Sequence, residues 1–357
     1  MGHGLSNAGP KGLHPVVSGG GGSPSVGAIV SATAVMVAVL AVAALARPAR
    51  YVVEGVSMAP RLLPGDVVTT GWFPFGDRFR GPGRYECWTV ALADHAPAVK
   101  RIAGLPGEAA SLIDGDLVVD GAVAVKGPRV LAEVGSVIER CEPTGSVSRS
   151  GSASQWLWIW PSREVLDDAT VVETRSRVLL PVHDVGLSAI VRMAGGPAPG
   201  GCRVRIRVGD LAVPWRLTAA GRHALVAGRL DGSLVAVAWP LPSTASSGAA
   251  ERSCLPAAAP VHWQVVMPWP AAVPASAADD AAPPLAIELA GGDATAVLEQ
   301  VTVWRDVLYR PANQTPPSWQ LGVHEYLVLG DFPSESSDSR QWGPVPRDAL
   351  HHRVSGY

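Results

Sequence analysis

Ser57 and Lys100 are the two residues of this sequence whose types and surroundings point to chemistry. Ser57 lies in the segment 54–66, where small and apolar neighbours leave its hydroxyl unhindered. Lys100 begins a second segment and is flanked by the apolar residues Val99 and Ile102. A lysine serves as a general base only when burial lowers its pKa. A serine nucleophile paired with such a lysine can hydrolyse an amide bond.

A third segment of interest, residues 330–340, lies near the C-terminus. Among its eleven residues are Asp331, Ser336, Asp338 and Arg340. Each of the three segments alone is weak evidence, since isolated serines and lysines are usually solvated surface residues. The three segments follow a long apolar stretch, in the order serine, lysine and carboxylates.

This order resembles the type I signal peptidases, which are membrane-anchored serine proteases with a lysine as general base. The resemblance covers roughly residues 26–128 and 313–357. It implies a mostly β catalytic domain in which Ser57 is the nucleophile and Lys100 is the base. It implies cleavage of signal peptides from exported preproteins after a small residue, with no cofactor and no metal.

The resemblance also assigns supporting roles near the serine and the lysine. Gly55 occupies the position two before the nucleophile, where some family members carry a serine that aids the oxyanion hole. With glycine there, the oxyanion would be stabilised by backbone amides, chiefly that of Ser57. Ser336 matches the family serine whose hydroxyl orients the lysine.

The remaining supporting residues match the family motif, and the sequence departs from the family pattern at two places. Asp338 and Arg340 match a structural ion pair close to the site, and Asp331 matches the carboxylate of a Gly-Asp-Asn turn. Phe332 stands where that turn has Asn, so the turn loses one side-chain amide. A second departure is the strand ahead of the lysine, residues 84–90, which differs from the usual Gly-Asp-Val-Val-like pattern.

The apolar stretch, residues 26–46, contains no charged residue. Its length matches the ~20 residues that a helix needs to cross a bilayer, so the sequence predicts a transmembrane anchor. Residues 1–25 are rich in Gly, Ser and Pro and predict a disordered tail. Arg47 and Arg50 follow the anchor, and the charge bias alone would leave the main domain in the cytoplasm. The resemblance instead implies a single-pass protein of the cell membrane with its catalytic domain on the outer face.

Composition limits the remaining possibilities. A chain of 357 residues predicts two folded units in addition to the anchor. The net charge of −2 gives no electrostatic case for nucleic acid as a partner. The resemblance implies signal-peptide-bearing preproteins and the lipid bilayer as partners. The 39 glycines and 32 prolines favour short strands joined by turns. Four cysteines allow either two disulfides or four free thiols, and they are Cys87, Cys141, Cys202 and Cys254.

Hydrophobic patterns predict where the strands lie. In the catalytic part, residues 51–128 and 313–357, Asp120-Gly121 between two apolar runs predicts a hairpin. The run Tyr326–Leu329 predicts the last strand of this domain, and His351-His352 predicts an exposed tail.

Residues 129–312 form a long insertion between the lysine segment and the C-terminal segment. Arg203–Val208 alternates apolar and basic side chains, and Asp231-Gly232 predicts another hairpin. Many short strands with regular turns predict a β-sandwich, with a loose similarity to lectin-like jelly rolls at residues 301–309. Such a domain could bind a glycan or a protein.

Two other functions are compatible with the sequence. One is a non-catalytic anchored protein that binds through the inserted domain. The other is a self-cleaving repressor with the same serine and lysine, but that class needs a DNA-binding domain where this chain has an apolar segment. A Ser-His-Asp protease is a poorer fit, because the histidines lie in no triad context and no G-x-S-x-G motif is present.

Overall fold

The structure is a computed structural model, and it describes residues 34–37, 49–70, 81–142, 154–167, 179–194, 201–242, 252–269, 283–290, 295–310 and 317–354. Met1–Arg47 and Pro48–Tyr357 form two separate units. The predicted tail, residues 1–25, and most of the predicted anchor lie outside the described residues. Residues 34–37 of the anchor are helical. Within the described residues, no helix is both long enough and apolar enough to cross a membrane.

The larger unit is mostly β, as predicted. Strands are numbered along the chain. A two-stranded ribbon opens the unit, with β1 (Arg50–Val52) antiparallel to β2 (Val67–Thr69). The turn before β2 is the predicted one, and Gly65 takes a φ of 92° that a glycine adopts without strain. The segment with Ser57 is the connection between these two strands.

A five-stranded antiparallel sheet carries the lysine segment. Its order is β20, β19, β4, β3, β21, and its strands are β3 (Cys87–Val90), β4 (Ala98–Gly104), β19 (Glu325–Leu329), β20 (Val345–Pro346) and β21 (Leu350–Arg353). β4 is the central strand and is therefore the best-buried place in this sheet for a polar side chain. Lys100 pairs with Trp88 of β3, and the next residue, Arg101, pairs with Leu329 of β19.

The prediction that Tyr326–Leu329 is the last strand is wrong, and His351-His352 is not a tail. Both histidines lie in β21, which pairs with β3 on the edge of the sheet. Leu350 directs this segment back to the sheet, because its side chain is buried among the apolar residues of the sheet core. A single buried leucine in a short polar stretch gives too weak a periodicity to predict a strand.

A four-stranded sheet completes the catalytic part. Its order is β18, β5, β6, β7, with bounds β5 (Ala109–Ile113), β6 (Asp116–Val119), β7 (Ala122–Val123) and β18 (Ser318–Gln320). The predicted hairpin at Asp120-Gly121 is confirmed, since β6 pairs with β7 and both turn residues have positive φ. Two short helices accompany the sheets, α1 (Pro128–Val134) and α2 (Ser339–Trp342).

The insertion contains two further antiparallel sheets. The six-stranded sheet has the order β15, β14, β13, β10, β17, β8, with bounds β8 (Ser136–Cys141), β10 (Val185–Ala194), β13 (Gly221–Leu230), β14 (Ser233–Leu241), β15 (Val265–Pro268) and β17 (Thr295–Arg305). The four-stranded sheet has the order β12, β11, β16, β9, with bounds β9 (Ser154–Trp160), β11 (Cys202–Val208), β12 (Leu211–Leu217) and β16 (Leu285–Ala290).

One hydrophobic core is shared by these two sheets. From β11, Val204, Ile206 and Val208 point into it, while Arg203 and Arg205 are exposed, as the alternation predicts. The opposite side of the core comes from β10, β13 and β17. Burial of each such aliphatic side chain contributes about 1.5–3 kcal/mol, so this core is the main source of stability of the insertion.

The ends of the insertion pack into the catalytic part. Val134 of α1, together with Val307 and Tyr309 beyond β17, belongs to the same buried cluster as Leu112 and Leu327 of the catalytic sheets. The Tyr309 N–H also donates to the Gly115 carbonyl at 2.9 Å. Residues near both predicted boundaries, 129 and 312, therefore contribute to the catalytic core.

All four cysteines are free thiols.

Candidate active site

Ser57 and Lys100 lie 43 residues apart in sequence but are in direct contact. Lys100 Nζ lies 2.8 Å from Ser57 Oγ and donates a hydrogen bond to it. The lysine projects from β4, whereas the serine is on the β1–β2 connection. The contact is therefore made by tertiary packing between the ribbon and the five-stranded sheet.

Burial changes the protonation of Lys100. The residue is 2% exposed. Its pKa is lowered to about 8, mainly by desolvation and to a smaller extent by the charge of Arg340, against the opposing effect of Asp338 and Asp331. A substantial fraction of the amine is therefore neutral slightly above neutral pH, and a neutral amine can accept a proton from the serine hydroxyl.

A cleft of about 930 Å³ opens over the two residues. Its lining is largely apolar and includes Val53, Val90 and Val99. The Trp342 ring forms part of the lining, lies 5.8 Å from Lys100 Nζ and stacks on His95 at 5.1 Å between ring centres. Such a cleft excludes water from one side of the lysine and is large enough for an extended peptide.

A main-chain hydrogen bond joins the serine segment, residues 54–66, to the C-terminal segment, residues 330–340. The Phe332 N–H donates to the Ser57 carbonyl at 3.0 Å. This contact needs only a backbone amide, so the replacement of the family Asn by Phe332 leaves it intact. Gly330 is required nearby, because a Cβ at this position would lie 2.6 Å from the Ser57 carbonyl oxygen.

The Ser57 N–H is available for an oxyanion. Within the described part of the chain, it donates to no protein acceptor. At Gly55 an added Cβ would meet no atom within 4 Å, so this side of the serine is open to solvent and to substrate. The stabilisation of the oxyanion by backbone amides, with no hydroxyl at position 55, stays a prediction.

Asp338 is the centre of a buried polar network. Its carboxylate accepts hydrogen bonds from the Gly330 N–H at 2.9 Å, the Ser336 hydroxyl at 2.8 Å and the Arg340 guanidinium at 2.9 Å. Asp338 and Arg340 therefore form the ion pair that the motif predicted. The Ser336 hydroxyl donates to Asp338, and its expected role in orienting Lys100 stays a prediction.

Arg101, which the sequence reasoning did not select, is the partner of Asp331. Its Nε and NH2 atoms donate to the two carboxylate oxygens at 2.7 and 2.6 Å, and both side chains are buried. A third contact joins Arg101 NH1 to Glu133 of α1 at 2.8 Å. Arg101 directly follows Lys100 and so points away from the cleft, which ties the strand that presents the lysine to the C-terminal segment.

The sequence motifs did not point to Trp342 or His95 as residues of the cleft, although Trp342 follows the C-terminal motif by two residues. No pattern in the sequence relates His95, on the β3–β4 connection, to that tryptophan.

The segments that contain Ser57 and Lys100 lie within a part of the chain that matches a known family. Residues 26–144 match the family model described as signal peptidase, peptidase S26. The match includes Ser57 and Lys100 and confirms the resemblance drawn from the motifs. A comparison with curated proteins found no match.

Proposed function

We propose, from the premise that this chain belongs to the signal peptidase family S26, that it is a serine endopeptidase that cleaves signal peptides from exported preproteins. The observation that carries the proposal is the 2.8 Å contact between Ser57 Oγ and the amine of Lys100. A surface serine and a solvated lysine would not be held together in a cleft, with the lysine 2% exposed.

The mechanism follows from this contact. Ser57 Oγ attacks the substrate carbonyl while its proton passes to the neutral Lys100 amine. The Ser57 N–H donates to the developing oxyanion. Lys100 then gives the proton to the leaving amine, and the acyl group remains on Ser57. A water molecule, deprotonated by Lys100, attacks the acyl-enzyme and releases the product.

The supporting residues position this pair. The Asp338 carboxylate, with Ser336 and Arg340 bound to it, fixes the turn at Gly330 against the serine segment. Asp331 holds β4 through Arg101. Gly55 keeps the approach to the serine open. No cofactor or metal has a role in this mechanism.

The substrate and the location form part of the same proposal. We expect cleavage after a small residue of a preprotein, bound extended in the cleft. Residues 26–46 would anchor the chain once in the cell membrane, with Pro48–Tyr357 on the outer face in contact with the lipid bilayer. We expect no nucleic acid among the partners of this protein.

We also propose that residues 129–312 are a β-sandwich inserted into the protease. The core shared by the six-stranded and four-stranded sheets supports this assignment. A glycan or a protein is the proposed ligand of the domain, and its role would be to bring substrates or the enzyme to a particular site.

Incubation of the detergent-solubilised full chain with a model preprotein tests the function. The new N-terminus of the product should begin after a small residue at the signal-peptide junction. The Ser57→Ala variant, prepared in the same way, should give no such product. An intact preprotein after incubation with the parent chain, or cleavage retained by Ser57→Ala, would contradict the proposal.

The pH dependence of cleavage should report the protonation of Lys100. Because its pKa is lowered to about 8 by burial, the amine is protonated and inactive at pH 6. We expect kcat/KM to rise tenfold for each pH unit below the midpoint and to level off above about pH 8. Measurement between pH 6 and pH 10 checks this, and a profile that is flat from pH 6 to pH 9 would exclude a lysine base.

A further inference from the structure

Trp342 is the tryptophan that lines the cleft beside Lys100. Its ring centre lies 5.8 Å from Lys100 Nζ. The indole is half-buried, whereas the lysine is 2% exposed. The same indole packs against the buried apolar cluster of the five-stranded sheet, which includes Ile102 and Val328. One side chain therefore contacts the core of the sheet and also reaches the surroundings of the proposed general base.

The C-terminal segment holds Trp342 in place. Trp342 is the last residue of α2, and Asp338 and Gln341 form a capping box at the start of this helix. The Trp342 main-chain N–H donates to the Asp338 carbonyl at 2.9 Å. The indole N–H donates to Ser337 Oγ at 2.8 Å. These contacts restrict both the backbone and the ring, so the residues around Asp338 set where the indole lies.

A second ring supports the indole from another segment of the cleft lining. His95, on the β3–β4 connection, stacks on Trp342 with 5.1 Å between the ring centres and 29° between the ring planes. The imidazole is exposed and lines the same cleft. The stack thus connects the β3–β4 connection to α2 and limits how far the indole can turn away from Lys100.

We propose that Trp342 is a positioning residue for Lys100, which keeps water from the amine and keeps the amine beside Ser57 Oγ. The inference rests on the proposed protease function. The ring acts mainly by excluding water, because 5.8 Å is close to the ~6 Å limit of a cation–π attraction. With water excluded, Ser57 Oγ at 2.8 Å is the hydrogen-bond partner that remains for the amine within the described residues.

Charged groups near Lys100 act on its protonation independently of Trp342. Desolvation has the largest effect, Asp338 and Asp331 favour the protonated amine, and Arg340 disfavours it. The lining of the cleft adds three ionisable side chains, namely Glu54, His95 and His351. Trp342 has no ionisable group, so its replacement leaves all these charges in place and changes only the access of water to the amine.

Replacement of the indole should move the pH profile of cleavage. Trp342→Ala admits water, so the pKa of Lys100 should rise towards the ~10.4 of a free lysine. We expect the midpoint of kcat/KM, measured between pH 6 and pH 11, to rise by at least about one pH unit, which lowers kcat/KM at pH 7 at least about tenfold. Trp342→Phe keeps an aromatic ring beside the amine and should retain a midpoint close to that of the parent.

Trp319→Ala is the matched control. Trp319 lies in β18 of the catalytic part, is half-buried and packs against a hydrophobic cluster, but it does not line the cleft. Its loss removes the same side chain from the same part of the protein. Stability can fall in this variant, whereas the midpoint of the pH profile should stay at the parent value.

Chemical labelling reads the protonation of Lys100 without a substrate. Acetic anhydride reacts with neutral amines, so a brief reaction of the detergent-solubilised full chain at each pH, with a free amino acid as internal standard, labels Lys100 according to its neutral fraction. Mass spectrometry of the peptide that contains Lys100 gives the midpoint for this residue alone. That midpoint should be higher in Trp342→Ala than in the parent. A chain that cleaves no preprotein yet shows this shift would contradict the protease function and support the role of Trp342.

Two results would overturn the role of Trp342. A folded Trp342→Ala variant could keep the parent midpoint in the labelling measurement, or Trp319→Ala could shift that midpoint as far as Trp342→Ala does. If Trp342→Ala does not fold, Trp342→Leu replaces it, because leucine keeps an apolar contact with the sheet core but covers less of the amine. The labelling midpoint should then rise by a smaller amount, and an unchanged midpoint would also overturn the proposal.

Discussion

Lys100→Arg should abolish cleavage as completely as Lys100→Ala. Arginine keeps the positive charge and nearly the length of lysine, but it does not deprotonate in a protein and cannot accept the proton of Ser57. A positioned general base contributes ~10²–10⁴-fold to a rate, so we expect kcat/KM to fall by at least about 10²-fold in both variants. Cleavage of a model preprotein by equal amounts of folded enzyme measures the effect.

The Ser57→Ala variant and the Ser57→Ala/Lys100→Ala double variant test whether the two residues act together. Ser57 and Lys100 act as one unit through their hydrogen bond, so the double variant should be little slower than either single variant. A structural lysine would behave differently, because arginine would restore a salt bridge and much of the activity. Robust cleavage by Lys100→Arg would therefore rule out the mechanism.

Asp331→Asn should destabilise the protein strongly. The substitution keeps the shape of the side chain but removes the charge that Arg101 is bound to, and both side chains are at most 1% exposed. Loss of one partner of a buried ion pair leaves an unpaired charge and costs about 3–5 kcal/mol. Denaturant unfolding of the parent and the variant in the same detergent gives the change in the free energy of unfolding.

Glu133→Gln is the control for that measurement. Glu133 contacts the same guanidinium at 2.8 Å, but its side chain is 32% exposed and water can replace it. An exposed ion pair contributes about 0–1 kcal/mol, so this variant should remain close to the parent. Equal losses in the free energy of unfolding for Asp331→Asn and Glu133→Gln would show that the buried Arg101–Asp331 pair stabilises the fold no more than the exposed Arg101–Glu133 pair.

The sequence by itself determined the local structure of strands and turns and indicated the chemistry proposed for Ser57 and Lys100. Alternating residues in β11 fixed which side chains are buried, because successive side chains of a strand point to opposite faces. The two Asp-Gly turns fixed hairpins through their tolerance of positive φ. The segments around Ser57 and Lys100 carried enough specific residues to indicate a serine protease, and the family match over residues 26–144 agrees with them.

Only the tertiary structure decided which polar groups pair with one another. Arg101 and Asp331 are 230 residues apart, and Ser57 and Lys100 are 43 residues apart. Such pairings follow from how the sheets pack, and no local periodicity encodes them. The hydroxyl of Ser336 donates to Asp338 in the folded chain, a partner that the motif alone did not specify. The pKa of Lys100 likewise depends on burial by distant segments, which the identity of its neighbours in sequence does not specify.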